Sequence, residues 1–284
     1  MLQEERKKLS TVTMFISFDL VNCTLYKSRY KGKWASGVSS VIDYILTALN
    51  ESPVEGYQFW KVLGDEVVYT KSIHSIPEIA DILDDVYAAV VDINKKIKSA
   101  QIGDAQTAKI LAVKATIWIA DISPSHLSAD NIAVQYKVGN GEVRNEYLGT
   151  DIDGGFRIAK YTSADRVVLS ADLAALFLKE QTLQKSFHKI NFVAYRLLKG
   201  IWNGEAYPIF MYHGDENVSF AQSIRNMTDI KNDILVEYLE QVTDRVVGGQ
   251  YHSYEEQLLT ELYGDTPRSI EVEQLVGIIT RDKQ

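Results

Sequence analysis

Two aspartates sit in runs that otherwise read as buried strand. Asp19 interrupts Phe15-Ile16-Ser17-Phe18-Asp19-Leu20-Val21, and Asp65 divides Phe59-Trp60-Lys61-Val62-Leu63-Gly64 from Glu66-Val67-Val68-Tyr69. Desolvating a carboxylate is costly, so two of them call for a partner. A divalent cation that itself carries polyphosphate is the natural partner for two hard oxygen ligands. Taken singly, each has a plainer reading: Asp19 as the cap of a following helix, and Asp65 as a turn residue. A third segment, Glu146-Tyr147-Leu148-Gly149-Thr150-Asp151-Ile152-Asp153-Gly154-Gly155-Phe156-Arg157, changes the balance. Its closing arginine presents a planar guanidinium, which can bridge two phosphate oxygens.

These residues need elements to hold them. Val12 to Val21 reads as strand, and Val38, Val41, Ile42, Ile45, Leu46 and Leu49 keep a helical stripe. Tyr57 to Leu63 and Glu66 to Lys71 read as strands joined at Gly64-Asp65, a hairpin signal. Pro77 opens a long helix through Ile79, Ile82, Leu83, Val86, Val90 and Ile93. Ile110 to Ala120 reads as a buried strand. Ile132 to Val138 and Glu142 to Tyr147 flank the turn Gly139-Asn140-Gly141, and Arg166 to Ser170, Asn191 to Leu198 and Tyr207 to Tyr212 are further strands. The order strand, helix, strand, strand, helix, strand is an α+β arrangement, the split βαβ ferredoxin-like unit.

Phe18-Asp19-Leu20 to Thr24, then Lys61 to Asp65, then Glu146 to Arg157, then Lys199-Gly200 stand in one order at compatible spacing. This series resembles the catalytic domain of class III nucleotidyl cyclases. The family pattern runs as Phe-x-Asp-Ile-x-Gly-Phe-Thr, Lys-x-x-Gly-Asp, Asp-x-x-Gly-x-x-Val-Asn-x-Ala-x-Arg and a closing Lys-Gly. The resemblance covers about residues 12 to 212. The run Glu-Tyr-Leu-Gly-x-Asp-Ile-Asp-x-Gly-Phe-Arg looks most like the bacterial pyrimidine cyclases that signal phage infection.

The resemblance implies roles for named residues. Asp19 and Asp65 would bridge two Mn²⁺ or Mg²⁺ ions, with the Leu20 carbonyl as a backbone ligand. The turn from Val21 through Asn22 and Cys23 to Thr24 would carry phosphates on backbone N–H groups. Arg157 would stabilise the pentavalent phosphate, and Lys199 would add a point charge. Asp153 stands where the family has Asn to orient the ribose; it can accept from a ribose hydroxyl or contact Arg157 one turn on. A second departure is the strand Val113 to Ala120, where the family tends to show His and Gly. Lys61 and Glu146 occupy the base-reading positions. A lysine beside a carboxylate supplies a donor and an acceptor, which suits adenine, cytosine or uracil. Glu reaches about 1.5 Å further than Asp, which fits a single-ring base. Trp60 and Tyr147 would narrow that pocket or, as strand neighbours, point away from it.

The resemblance thus implies a homodimer with sites at its interface, converting UTP or CTP to a 3′,5′-cyclic monophosphate and signalling to a separate effector. An adenylate cyclase and a non-catalytic cyclase-like binding domain are the alternatives. The net charge of −8 over 284 residues argues against a nucleic-acid surface. The single cysteine, Cys23, excludes an internal disulfide and points to a reducing compartment. The five histidines show no zinc spacing. No apolar run approaches the roughly 20 residues of a membrane span, so a cytoplasmic protein without direct membrane attachment is expected. The division expected is a cyclase domain over 1–213 and a helical C-terminal extension over 214–284, where Ile230, Ile234, Leu235, Tyr238, Leu239 and Val242 form a stripe.

Overall fold

The computed structural model describes residues 11–74, 77–122, 131–139, 141–174, 189–202 and 206–214. The expected C-terminal helices, the charged N-terminus and residues 123–130 lie outside these residues. The elements run β1 (Thr11–Val21), α1 (Cys23–Arg29), α2 (Trp34–Ala48), β2 (Gln58–Leu63), β3 (Glu66–Ser72), α3 (Pro77–Lys98), α4 (Ala105–Ile110) and β4 (Ala112–Ile122). After these come β5 (Asn131–Lys137), β6 (Val143–Gly149), α5 (Thr150–Ile158), β7 (Val167–Leu169), β8 (Ile190–Leu197) and β9 (Ala206–Tyr212).

Seven strands form one sheet in the order β2-β3-β1-β4-β7-β9-β8. Its first four are antiparallel neighbours in the ferredoxin-like order. The hairpin β5-β6 stands as a separate two-stranded sheet. The long apolar run of β1 has a direct cause: the strand is central and buried on both faces. Met14, Ile16, Phe18 and Leu20 join the main core with Val41 and Ile45 of α2 and Ile82, Val86 and Val90 of α3. Phe15 points to the other face and belongs to a second cluster with Val68, Trp118, Ala120 and Ile152. Strand alternation then places Ser17 and Asp19 on the Phe15 face. That face is therefore apolar at Phe15 and polar by Asp19, and the change falls where β1 ends.

Helix α5 lies on this second face. A β-carbon on Gly155 would come within 2.1 Å of the Trp118 ring, so only glycine permits this approach. The β2–β3 turn also needs glycine, because Gly64 has φ +68°. One expectation is corrected. Ile110 is not strand but the last residue of α4, a helix started by Asp104, whose carboxylate accepts from the amides of Gln106 and Thr107. Among the described residues no helix is long and apolar enough to cross a membrane.

Candidate active site

Asp19 and Asp65 meet because β1 and the β2–β3 hairpin end together. Asp19 is the register partner of Glu66, and the Leu20 amide donates to the Asp65 carbonyl at 3.4 Å. Asp19, Leu20, Asn22, Cys23, Thr24 and Asp65 line one open concavity of about 760 Å³. All six were singled out by sequence, and the fold gathers them. Asn22 precedes α1 with φ 64°, left-handed backbone that a non-glycine residue rarely adopts. Its side-chain Nδ2 donates to the Ile110 carbonyl at 3.2 Å, which holds the turn in place. Cys23 and Thr24 fall in the first turn of α1, not in a loop.

Each aspartate has an ammonium beside it. Lys114 Nζ lies 3.1 Å from Asp19 Oδ2, and Lys27 Nζ lies 3.7 Å from Asp65 Oδ1. Burial pushes the Asp19 carboxyl above its usual range, against the pull of Lys114; the Asp65 charge adds to the rise. Burial likewise raises Glu66, which accepts from the Ser17 hydroxyl. Among the described residues no three His, Cys, Asp or Glu side chains cluster as a metal cage. The donor set nevertheless suits a magnesium-like ion. Such ions take one or two carboxylates and complete their shell with water and substrate phosphates. Carboxylates that already attract two ammonium groups are placed to attract such a cation.

The base-reading candidates also come together. Lys61 Nζ contacts Glu146 Oε1, joining β2 to β6 across two sheets. A register irregularity between Phe59 and Lys61 sets Trp60 apart from regular pairing. Trp60 and Tyr147 turn onto Phe15, with ring centroids 5.4 and 5.1 Å from it. They lie beneath the pair, as strand neighbours that turn away from it. Trp60 Nε1 donates to the Asn145 carbonyl at 3.0 Å, and the Lys61 ammonium sits 3.9 Å from the Trp60 ring centroid.

Arg157 occupies the last turn of α5 and is half-buried, while Asp153 stands exposed in the first turn and forms no ion pair with it. The turn after β8 packs against this helix. A β-carbon on Gly200 would lie 4.0 Å from Arg157 Nη2, and one on Gly154 would lie 3.9 Å from Ile201 Cδ1. Lys199 is exposed on that turn. Arg157 and the Lys199-Gly200 turn are thus neighbours. None of Lys61, Glu146, Arg157 or Lys199 lines the aspartate concavity. Within one chain these side chains stand apart from the two aspartates.

Sequence reading missed Lys114, Glu66 and Lys27. A lysine in an apolar strand carries no motif, and only the register Asp19↔Lys114 places it beside the carboxylate.

No family model and no curated protein matches the chain. Solved structures do. The adenylyl cyclase CyaB from P. aeruginosa superposes with a TM-score of 0.54 at 10% identity, over 73% of this chain and 96% of that one. A bacterial light-regulated adenylyl cyclase superposes with a TM-score of 0.52 at 9% identity, over 78% of this chain and 57% of that one. The chain has the fold of class III nucleotidyl cyclase catalytic domains.

Proposed function

We propose that this protein is a nucleotidyl cyclase that converts UTP, or CTP, to its 3′,5′-cyclic monophosphate and diphosphate. The observation that carries the reading is the meeting of Asp19 and Asp65 in one open concavity at the ends of adjacent strands. The cyclase fold supports it. In the reaction the ribose 3′ oxygen bonds to the α-phosphorus, its proton is lost to solvent, and the bond to the departing diphosphate breaks. Two Mn²⁺ or Mg²⁺ ions on Asp19, Asp65 and the Leu20 carbonyl would activate that oxygen and neutralise the leaving group.

The remaining work falls to side chains. Arg157 binds the phosphate oxygens whose charge builds during displacement. Lys199 adds a second positive charge from the adjoining turn. Asp153 accepts from the ribose. The amides at Asn22, Cys23 and Thr24 take the polyphosphate. Lys61 and Glu146 read the base edge as one donor and one acceptor. The resemblance makes the active form a homodimer, and the separation of these two sets of side chains within one chain supports that reading. One protomer supplies the aspartates, and its partner supplies the base, arginine and lysine residues.

The pyrimidine assignment rests on Glu146 and on the resemblance of the Glu146–Arg157 run to pyrimidine cyclases. The same resemblance makes a cyclic-nucleotide-binding effector in antiviral defence the partner downstream. The deciding experiment is incubation with each of the four nucleoside triphosphates and Mn²⁺, with the product identified by mass. Cyclic UMP or cyclic CMP is expected. Cyclic AMP as the main product overturns the base assignment alone, and no cyclic product from any substrate overturns the enzyme.

A further inference from the structure

Glu66, Asp19 and Lys114 are consecutive register partners across β3, β1 and β4, so they form a row on one face of the sheet. Lys114 is the most enclosed member of its ion pair, with 12% of its side chain exposed against 28% for Asp19. An ammonium so placed must be compensated. Lys114 has two compensating contacts: Asp19 Oδ2 at 3.1 Å and the Ala159 carbonyl at 3.0 Å. Ala159 caps the C-terminal end of α5, two residues beyond Arg157. A cation there also suits the last carbonyls and the negative end of the helix. One side chain therefore grips a proposed metal ligand and the end of the helix that carries the proposed phosphate-binding arginine.

We propose that Lys114 is the resident cation of the carboxylate site, a positioning residue that fixes Asp19 and holds down the affinity for a divalent ion until polyphosphate arrives. The inference rests on the two-metal reading above. An ammonium 3.1 Å from a ligand oxygen repels an incoming dication. A nucleoside triphosphate brings enough negative charge to offset that repulsion. Metal then loads with the substrate, not ahead of it.

The test is Mn²⁺ binding without nucleotide, followed by titration calorimetry and by electron paramagnetic resonance of the free ion. The variants are Lys114→Gln, which keeps a donor for Ala159, Lys114→Met and Lys114→Arg. The neutral variants are expected to bind Mn²⁺ about tenfold more tightly than wild type, and Lys114→Arg to stay near wild type. A merely structural lysine would give weaker binding on removal, never tighter. Asp65→Asn is the control for the site itself. Unchanged or weaker binding in the neutral variants, with wild-type binding abolished by Asp65→Asn, overturns the role of Lys114 and leaves the metal reading standing. No Mn²⁺ binding by any variant without nucleotide overturns the role of Lys114, and no uptake of Mn²⁺ by wild type with a nucleoside triphosphate present overturns the metal reading as well. Melting curves accompany each titration, and failure of both neutral variants to fold would make Lys114 a structural residue and overturn the assignment.

Discussion

Lys61 and Glu146 are 85 residues apart in sequence and in contact in space. The contact joins the edge strand of the large sheet to the separate β5-β6 hairpin. Its floor is aromatic: Trp60 and Tyr147 lie 5.0 Å apart beneath it and both pack on Phe15. Because the fold preorganises the pair, a base that meets it finds a donor and an acceptor already placed.

Substrate preference should follow from that pair. Lost hydrogen bonds to a base are worth about 1–3 kcal/mol each when a buried partner is left unpaired. Glu146→Ala should therefore erode preference by roughly tenfold or more. Glu146→Asp keeps the charge and withdraws the reach, and it should favour ATP relative to the pyrimidines. The readout is the ratio of kcat/KM for UTP, CTP and ATP. Unchanged ratios with a lower overall rate would remove this pair from base reading.

The carboxylates should behave differently. Asp19→Asn and Asp65→Asn each take away an anionic ligand for the proposed cations. Each should keep the fold and lower turnover by at least about a hundredfold with every substrate alike. Circular dichroism checks the fold, and cyclic product formation checks the rate. Activity within about tenfold of wild type in either variant would sink the two-metal assignment.

Much of this was legible in the sequence, for identifiable reasons. Strand β1 announced itself because a central strand buried on both faces needs apolar residues on both, here Met14, Phe15, Ile16 and Phe18 around a single buried Ser17. Helix α4 did not, because six residues are too few for a stripe and its one signal, the Asp104 cap, adjoins an apolar run that absorbed Ile110. The motif residues of the concavity were legible through their order along the chain. Lys114 was not, since its meaning depends on register with Asp19, and register is a property of paired strands. Whether Trp60 narrows a base pocket or turns away from it stayed open in the sequence, and the irregularity in β2 at this residue is one that no residue pattern revealed.

Gly155 tests how tightly the helix that carries Arg157 is placed. A β-carbon there would stand 2.1 Å from the buried Trp118 ring, so Gly155→Ala must push α5 off the sheet. Overpacking of this kind costs about 1–3 kcal/mol. The variant should melt earlier and lose activity through misplaced Arg157, while Mn²⁺ binding at the aspartates persists. An unchanged melting temperature and rate would contradict this packing.

Cys23 reports on the concavity through its reactivity. Burial, with the Asp65 carboxylate beside it, pushes its thiol up to about 11. A raised thiol pKa means protonated sulfur at neutral pH, with thiolate growing as pH rises. Alkylation by iodoacetamide should therefore be slow at pH 8 and rise about tenfold per pH unit up to pH 10, where an ordinary thiol already levels off. A triphosphate with Mn²⁺ should slow it further by covering the turn. A plateau below pH 9 would show that the thiol is not held in this environment.

Assembly offers the sharpest test of the two half-sites. In one chain the aspartate concavity excludes Arg157, which instead adjoins the Lys199-Gly200 turn. If the halves of two protomers make each site, Asp65→Asn and Arg157→Ala damage complementary halves. Each homodimer then has two damaged sites. A mixed dimer places both lesions in one site and leaves the other intact. Equal mixing with free exchange gives mixed dimers in half of the population, each with one working site. Activity should recover to roughly a quarter of wild type. Exchange is verified independently, by pulling down an untagged variant with its tagged counterpart. A mixture that exchanges fully yet stays inactive would mean that each site is built within one chain, by a closure of α5 towards the aspartates that this fold does not display. A mixture of Asp65→Asn with Asp19→Asn is the matching control. Both lesions fall on the same half, so no mixed dimer has an intact site and no recovery is expected.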